Sequence, residues 1–106
     1  MKQRKAKVKL VKRLLVEKGY DYLSVDSVRA DLIVFKYKDM RLIKVVVGEN
    51  GFTFLKEINM MKRLKVPKGV TKELWVYRLK GANQACWEVI DIRKEKARYY
   101  EPKNIT

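Results

Sequence analysis

RADLIVFKYKDMRLIKVVVGEN, residues 29–50, is the stretch on which the fold turns. Two apolar, β-branched runs flank the polar tetrapeptide KYKD, a pattern that predicts a hairpin with strands at 31–37 and 40–47 and a turn at "KD". Two charges sit where that pattern does not want them. Asp31 opens the first run, and Lys44 interrupts the second between Ile43 and Val45. A buried charge costs several kcal/mol unless it is paired, hydrated or kept for chemistry. The hairpin therefore holds the first candidate site residues.

Outward from the hairpin, residues 4–18 place Val8, Val11, Leu14 and Leu15 at helical spacing, with Leu10 beside them. Lys5, Lys9, Lys12, Arg13 and Lys18 fall largely on the rest of that helix, and Gly19 follows as its stop. "YDYLSV" (20–25) predicts a short strand. On the other side, "GENG" (48–51) is expected to break the sheet. "FTFLKEINMMKRL" then predicts a second amphipathic helix, with Phe54, Leu55, Ile58, Met61 and Leu64 inward and Lys56, Lys62 and Arg63 outward. "TKELWVYRL" and "CWEVIDI" predict two further strands. The charged segment 93–106 suits a short helix or an ordered tail. The expected order is α-β-β-β-α-β-β, an α/β fold with one mixed central sheet flanked by helices.

A chain of 106 residues with 47% hydrophobic content has room for one domain and one modest core. Its formal net charge of +14 makes anionic partners the first to consider, with nucleic acid ahead of a membrane surface. No stretch is long and apolar enough to span a bilayer, and the basic N-terminus lacks a signal-peptide core. With the lone Cys86, which has no internal disulfide partner, these features predict a reducing, cytoplasmic setting. Histidine is absent, so His triads, His general bases and His metal ligands are excluded. Abundant Lys, Arg and Glu suit a heat-adapted organism. Trp75, Tyr77 and Trp87 are expected in the core; Tyr20, Tyr22, Tyr99 and Tyr100 suit base stacking or a subunit interface. No base-reading motif is present, which favours recognition through backbone charge and shape.

A helix ending in "EKGY", a strand, an Asp opening "DLIVF", a hairpin into "RLIKVVV", a helix and the pair "ELWVY…WEVIDI" together resemble the archaeal-type Holliday junction resolvases and their small relatives in the PD-(D/E)xK nuclease superfamily. The resemblance covers residues 8–92 and implies a restriction-endonuclease-like domain over 1–92 followed by a charged C-terminal segment, 93–106. It also implies a homodimer. In that family an Asp at the start of one strand and an acid on the next hold Mg²⁺, and a lysine two residues beyond the acid serves the scissile phosphate. Asp31 matches the first acid. Lys44, thirteen residues later, stands at the second acid's position, and Val46 at the lysine's. The family's first-helix Glu is also missing, with Lys5, Lys7 or Lys9 in its region. Glu49 and Glu57 are candidates for acids that have migrated from neighbouring elements, and Asp26, in the loop before Asp31, is another.

The losses share one direction. A site that needs carboxylates keeps one and gains a cation, so an Asp31–Lys44 ion pair is expected to replace the metal. The resulting expectation is a basic protein of nuclease-like fold that binds duplex or branched DNA through phosphate contacts and does not cut it, with no cofactor. Lys5, Lys9, Lys12, Arg13, Lys62 and Arg63 are its expected nucleic-acid contacts. The alternatives are a divergent Mg²⁺-dependent endonuclease using Asp31, and a small dimeric subunit that docks on another protein.

Overall fold

A computed structural model of the chain describes residues 2–25, 27–49, 53–79, 85–94 and 96–100; side chains are described for these except at 2, 3, 49, 79, 96, 99 and 100. Helix α1 spans Lys2–Glu17. Its spacing predicted the buried stripe, and Val11, Leu14 and Leu15 are buried with Val8 and Leu10 packed beside them. The helix ends where Gly19 takes a φ of +92°, a conformation that costs a residue with a Cβ far more than glycine. That turn lets the Gly19 and Tyr20 N–H groups donate to Val16 and Leu15, both at 3.0 Å, closing off carbonyls the helix leaves open.

Strands β1 (Asp21–Ser24), β2 (Leu32–Lys36) and β3 (Asp39–Glu49) form an antiparallel meander. The hairpin turns at Tyr37 and Lys38, one residue earlier than predicted, because Asp39 pairs with Lys36 as the first residue of β3. Nor does the sheet break at Gly48: β3 runs on through Glu49. Gly48 serves close approach instead, since a Cβ there would lie 2.4 Å from the Phe54 ring, which closes over the strand ahead of helix α2 (Leu55–Arg63).

Helix α2 is the crossover that a parallel pair requires. Strand β4 (Val70–Leu79) runs parallel to β3, in register from Met40 opposite Val70 to Glu49 opposite Leu79. The Lys72 ammonium donates to the carbonyls of Met61, Lys62 and Leu64 at 2.8, 3.2 and 3.0 Å, tying the C-terminal end of α2 to β4. Strands β5 (Ala85–Asp91) and β6 (Lys96–Tyr100) add antiparallel pairs. The sixth strand differs from the helix or tail expected of 93–106. Asp91 Oδ1 accepts the Arg93 and Lys94 N–H groups, which turns the chain back along β5.

The sheet order is β1-β2-β3-β4-β5-β6. Side chains alternate along a strand, so neighbouring residues of β3 and β4 serve opposite faces. Ile43, Val45 and Trp75 join Trp87 and Val89 under α1, whereas Val46, Leu74 and Val76 join Phe54, Met61 and Ile92 under α2. The two helices therefore cover opposite faces, in a mixed α/β architecture. Trp75 and Trp87 are buried as predicted and meet edge to face with centroids 5.7 Å apart. Cys86 is a buried free thiol.

One feature of the α1 face was not anticipated. Glu73, 1% exposed, lies inside it. Trp75 donates to one carboxylate oxygen at 3.1 Å, and Arg41 and Arg98 donate to the other at 3.3 and 2.7 Å. Arg41 also grips Asp39, which accepts the Tyr20 hydroxyl. A buried carboxylate persists only when it is paired and hydrogen-bonded, and these donors satisfy both conditions.

Candidate functional site

The last rung between β2 and β3 is Leu32 opposite Ile43, and β3 then continues without β2 beside it. Asp31 fills the resulting notch. Its N–H donates to Ile43 O at 2.8 Å, and its carbonyl accepts Val25 N–H at 2.9 Å. Oδ2 accepts Val45 N–H at 2.7 Å, so the carboxylate takes the place of the next backbone acceptor in the ladder. Oδ1 is paired with the Arg4 guanidinium, whose Nε also donates to Val45 O at 3.3 Å. Helix, strand end and central strand thus converge on one carboxylate.

Lys44 is not the partner of Asp31. It points to the α2 face, opposite Leu74 on β4, and its ammonium donates to the Val28 carbonyl at 2.6 Å. Asp31 sits at a strand end and turns its carboxylate along the sheet edge toward α1, while alternation sends Lys44 the other way. The expected ion pair is therefore corrected to Asp31–Arg4. Burial lowers the Lys44 pKa from its ordinary value; the Asp31 charge acts against that shift, Arg4 adds to it, and Glu57 opposes it.

Val46 is 8% exposed and packs with Phe54, Met61 and Leu74. A lysine at that place would push its ammonium into the α2-face core. Glu57, in the first turn of α2, is half-buried and acts on Lys44 through its charge. Asp26 lies outside the described residues, as do the side chains of Glu49, Tyr99 and Tyr100.

The described residues of the notch, Asp31 with Arg4 and Lys44, do not offer the free oxygens that a resident Mg²⁺ needs. Hard divalent cations need several free oxygen ligands. Asp31 has one oxygen on Arg4 and the other on a backbone N–H, and the charge of a second cation, Lys44, also acts on the site. Among the described residues no three acidic, Cys or His side chains are grouped to hold a metal ion. Sequence reasoning missed Arg4. The chain's first arginine lies 27 residues before Asp31, beside the lysines considered for the missing helix Glu, and helical spacing alone does not say which of them reaches the strands.

The basic residues fall into two sets. Lys5, Lys9 and Arg13 are exposed along α1, and Lys12 lies with its ammonium 4.6 Å from the centre of the Tyr22 ring. Lys62 and Arg63 are exposed on α2, beyond the opposite face of the sheet. They do not form one surface with α1. Near the notch, Arg29, which follows the carbonyl held by Lys44, joins Lys56 and Arg63 around a cavity of about 350 Å³ floored by Asn59 and Met60.

No family model matches the chain, and no curated protein matches it. Among the described residues no helix is long and apolar enough to cross a membrane.

Proposed function

We propose that this protein binds nucleic acid, duplex or branched DNA, through phosphate contacts with little sequence preference, and that it does so on a restriction-endonuclease-like scaffold without metal-dependent cleavage. The observation that carries the reading is the exchange of charge at the notch. Where the resemblance calls for carboxylates around a cation, this chain has Arg4 bonded to Asp31 and Lys44 beside them. Cations that oppose a metal suit a phosphate. The net charge of +14 supports the same partner, because self-repulsion weakens the compact state and fold stability does not call for such an excess.

The exposed lysines of α1 and the Arg29–Lys56–Arg63 cavity supply donors for phosphate oxygens. Binding of this kind needs no divalent ion. The test is a pair of assays on one preparation: gel-shift binding of a duplex and a four-way junction in EDTA, and cleavage of the same DNAs with Mg²⁺ or Mn²⁺. Binding in EDTA without divalent-dependent cutting is expected. Cutting that disappears in Asp31→Ala would establish the endonuclease reading in its place.

A further inference from the structure

A second basic surface lies on the α2 side, at the end of the molecule where α2 stops and β4 begins. A groove of about 680 Å³ runs there with Leu64, Val66, Pro67 and Ile92 as its apolar part. Lys65, Lys68 and Arg93 are exposed along it, with Lys62 at its rim, and among the described residues no carboxylate lines it. The end of a helix carries partial negative charge on its open carbonyls. Here Lys72 occupies those of Met61, Lys62 and Leu64, so the helix terminus does not offset the positive charge of the groove.

This groove and the exposed face of α1 are separated by the sheet. The molecule's smallest extent is 25 Å, so a straight duplex lying along α1 leaves the groove open on the far side. Along the Lys5–Lys9–Arg13 face the first carboxylate is Glu17, one turn beyond Arg13 at the last residue of the helix, so the three cations themselves have no acid between them. Each surface offers at least three exposed cations, enough to engage phosphates independently.

We propose that the Lys65–Lys68–Arg93 groove is a second phosphate-binding surface, and that one chain uses it together with α1 to hold two nucleic-acid segments at once. The inference rests on the reading of the protein as a nucleic-acid binder and goes beyond it in stating two faces and a bridging geometry. An acidic peptide or an anionic membrane also complements positive charge. Nucleic acid is favoured because both surfaces then serve one kind of partner, and because the groove is edged by cations rather than offering a broad apolar face.

Bead capture tests the bridge. A biotinylated duplex is immobilised, the protein is added below saturation, and retention of a second, fluorescent duplex is measured beside solution anisotropy for single-duplex binding. The parent should capture the second duplex. K65E/K68E/R93E should keep anisotropic binding through α1 and lose capture by about tenfold or more, and K65Q/K68Q/R93Q should lose part of it. K5E/K9E/R13E should also lose capture, and should bind a single duplex more weakly, through the groove alone. Thermal melts confirm that each variant is folded.

A parent that binds but does not capture overturns the inference and leaves the proposed function standing. Capture that is unchanged in K65E/K68E/R93E also overturns it, since bridging would then come from association of chains that each use one surface. A groove that binds anionic vesicles or polyglutamate in preference to DNA overturns it in favour of those partners. A parent that binds no DNA in either format refutes the function on which the inference rests.

Discussion

Replacing Asp31 with alanine separates a structural carboxylate from a metal ligand by the sign of the effect. Asp31 accepts one hydrogen bond from Val45 N–H at 2.7 Å and one from Arg4, and its side chain is 9% exposed. A hydrogen bond involving a charged group contributes roughly 1.5–3 kcal/mol, and an orphaned buried N–H costs about 1–3 kcal/mol. Arg4 is 38% exposed, so water replaces much of its lost partner and its share is discounted. The expected loss is about 2–4 kcal/mol, which in a domain of this size lowers the midpoint by roughly 10–25 °C. Asp31→Asn should fall between, because its amide oxygen still accepts from Val45. The assay is thermal melting by circular dichroism, in EDTA and with Mg²⁺. A cluster of metal-binding carboxylates behaves oppositely: removing one relieves repulsion and stabilises the metal-free protein. An Asp31→Ala protein as stable as the parent or more so, or a parent whose midpoint rises with Mg²⁺ while the variant's does not, would refute this account of the notch.

Other expectations follow from the packing and the titrating groups. Gly48→Ala forces the Phe54 ring aside and should cost about 1–3 kcal/mol in denaturant unfolding; Phe54→Leu in the same chain should recover part of it. Hydrogen bonding by Arg41 is the main cause that holds the Asp39 carboxyl below its ordinary 3.8, so its contribution is present above that pH and is lost as pH falls through the lowered folded value. At the alkaline end, burial, reinforced by Asp39, raises the Tyr20 hydroxyl above 10.0, so its contribution is present below 10.0 and fades as pH rises through the folded value; Tyr20→Phe should flatten that limb. Lys44 acts with the opposite sign: its folded pKa is lowered, so stability rises with pH between that value and 10.5, and Lys44→Met should remove the rise in pH-dependent melts.

Much of this architecture is legible in the residues. Val11, Leu14 and Leu15 with Gly19 mark α1 and its end because helical periodicity and the glycine stop are local signals. The β2–β3 hairpin is equally local, and the apolar run around Val45 marks a strand buried on both faces. What a single sequence hides is register between distant elements. Alternation puts Lys44 on the same face as Val46, but only the position of α1 shows that Arg4, rather than Lys44, completes Asp31. Glu73 reads as one charge in an apolar strand; besides Trp75 on its own strand, its donors come from β3 and β6, and the strand preceding β6 carries no hint of that pairing. Gly48 shows the converse, a residue whose local preference for breaking a strand yields to the space that the Phe54 ring needs. β6 itself is short and charged, and its strand character depends on the β5 edge.

The central claim is that phosphate charge, without a metal, holds this protein on nucleic acid, and the salt dependence of binding tests it most directly. Affinity for a labelled duplex and a four-way junction is measured by anisotropy in EDTA across a series of salt concentrations. Contacts to about six to ten phosphates predict a linear fall of log affinity with log salt, a loss of roughly a thousandfold or more between about 50 and about 200 mM. Lys5→Gln, Lys9→Gln and Arg13→Gln together should make that slope shallower. Absence of binding at low salt, or binding that does not respond to salt, would contradict the claim.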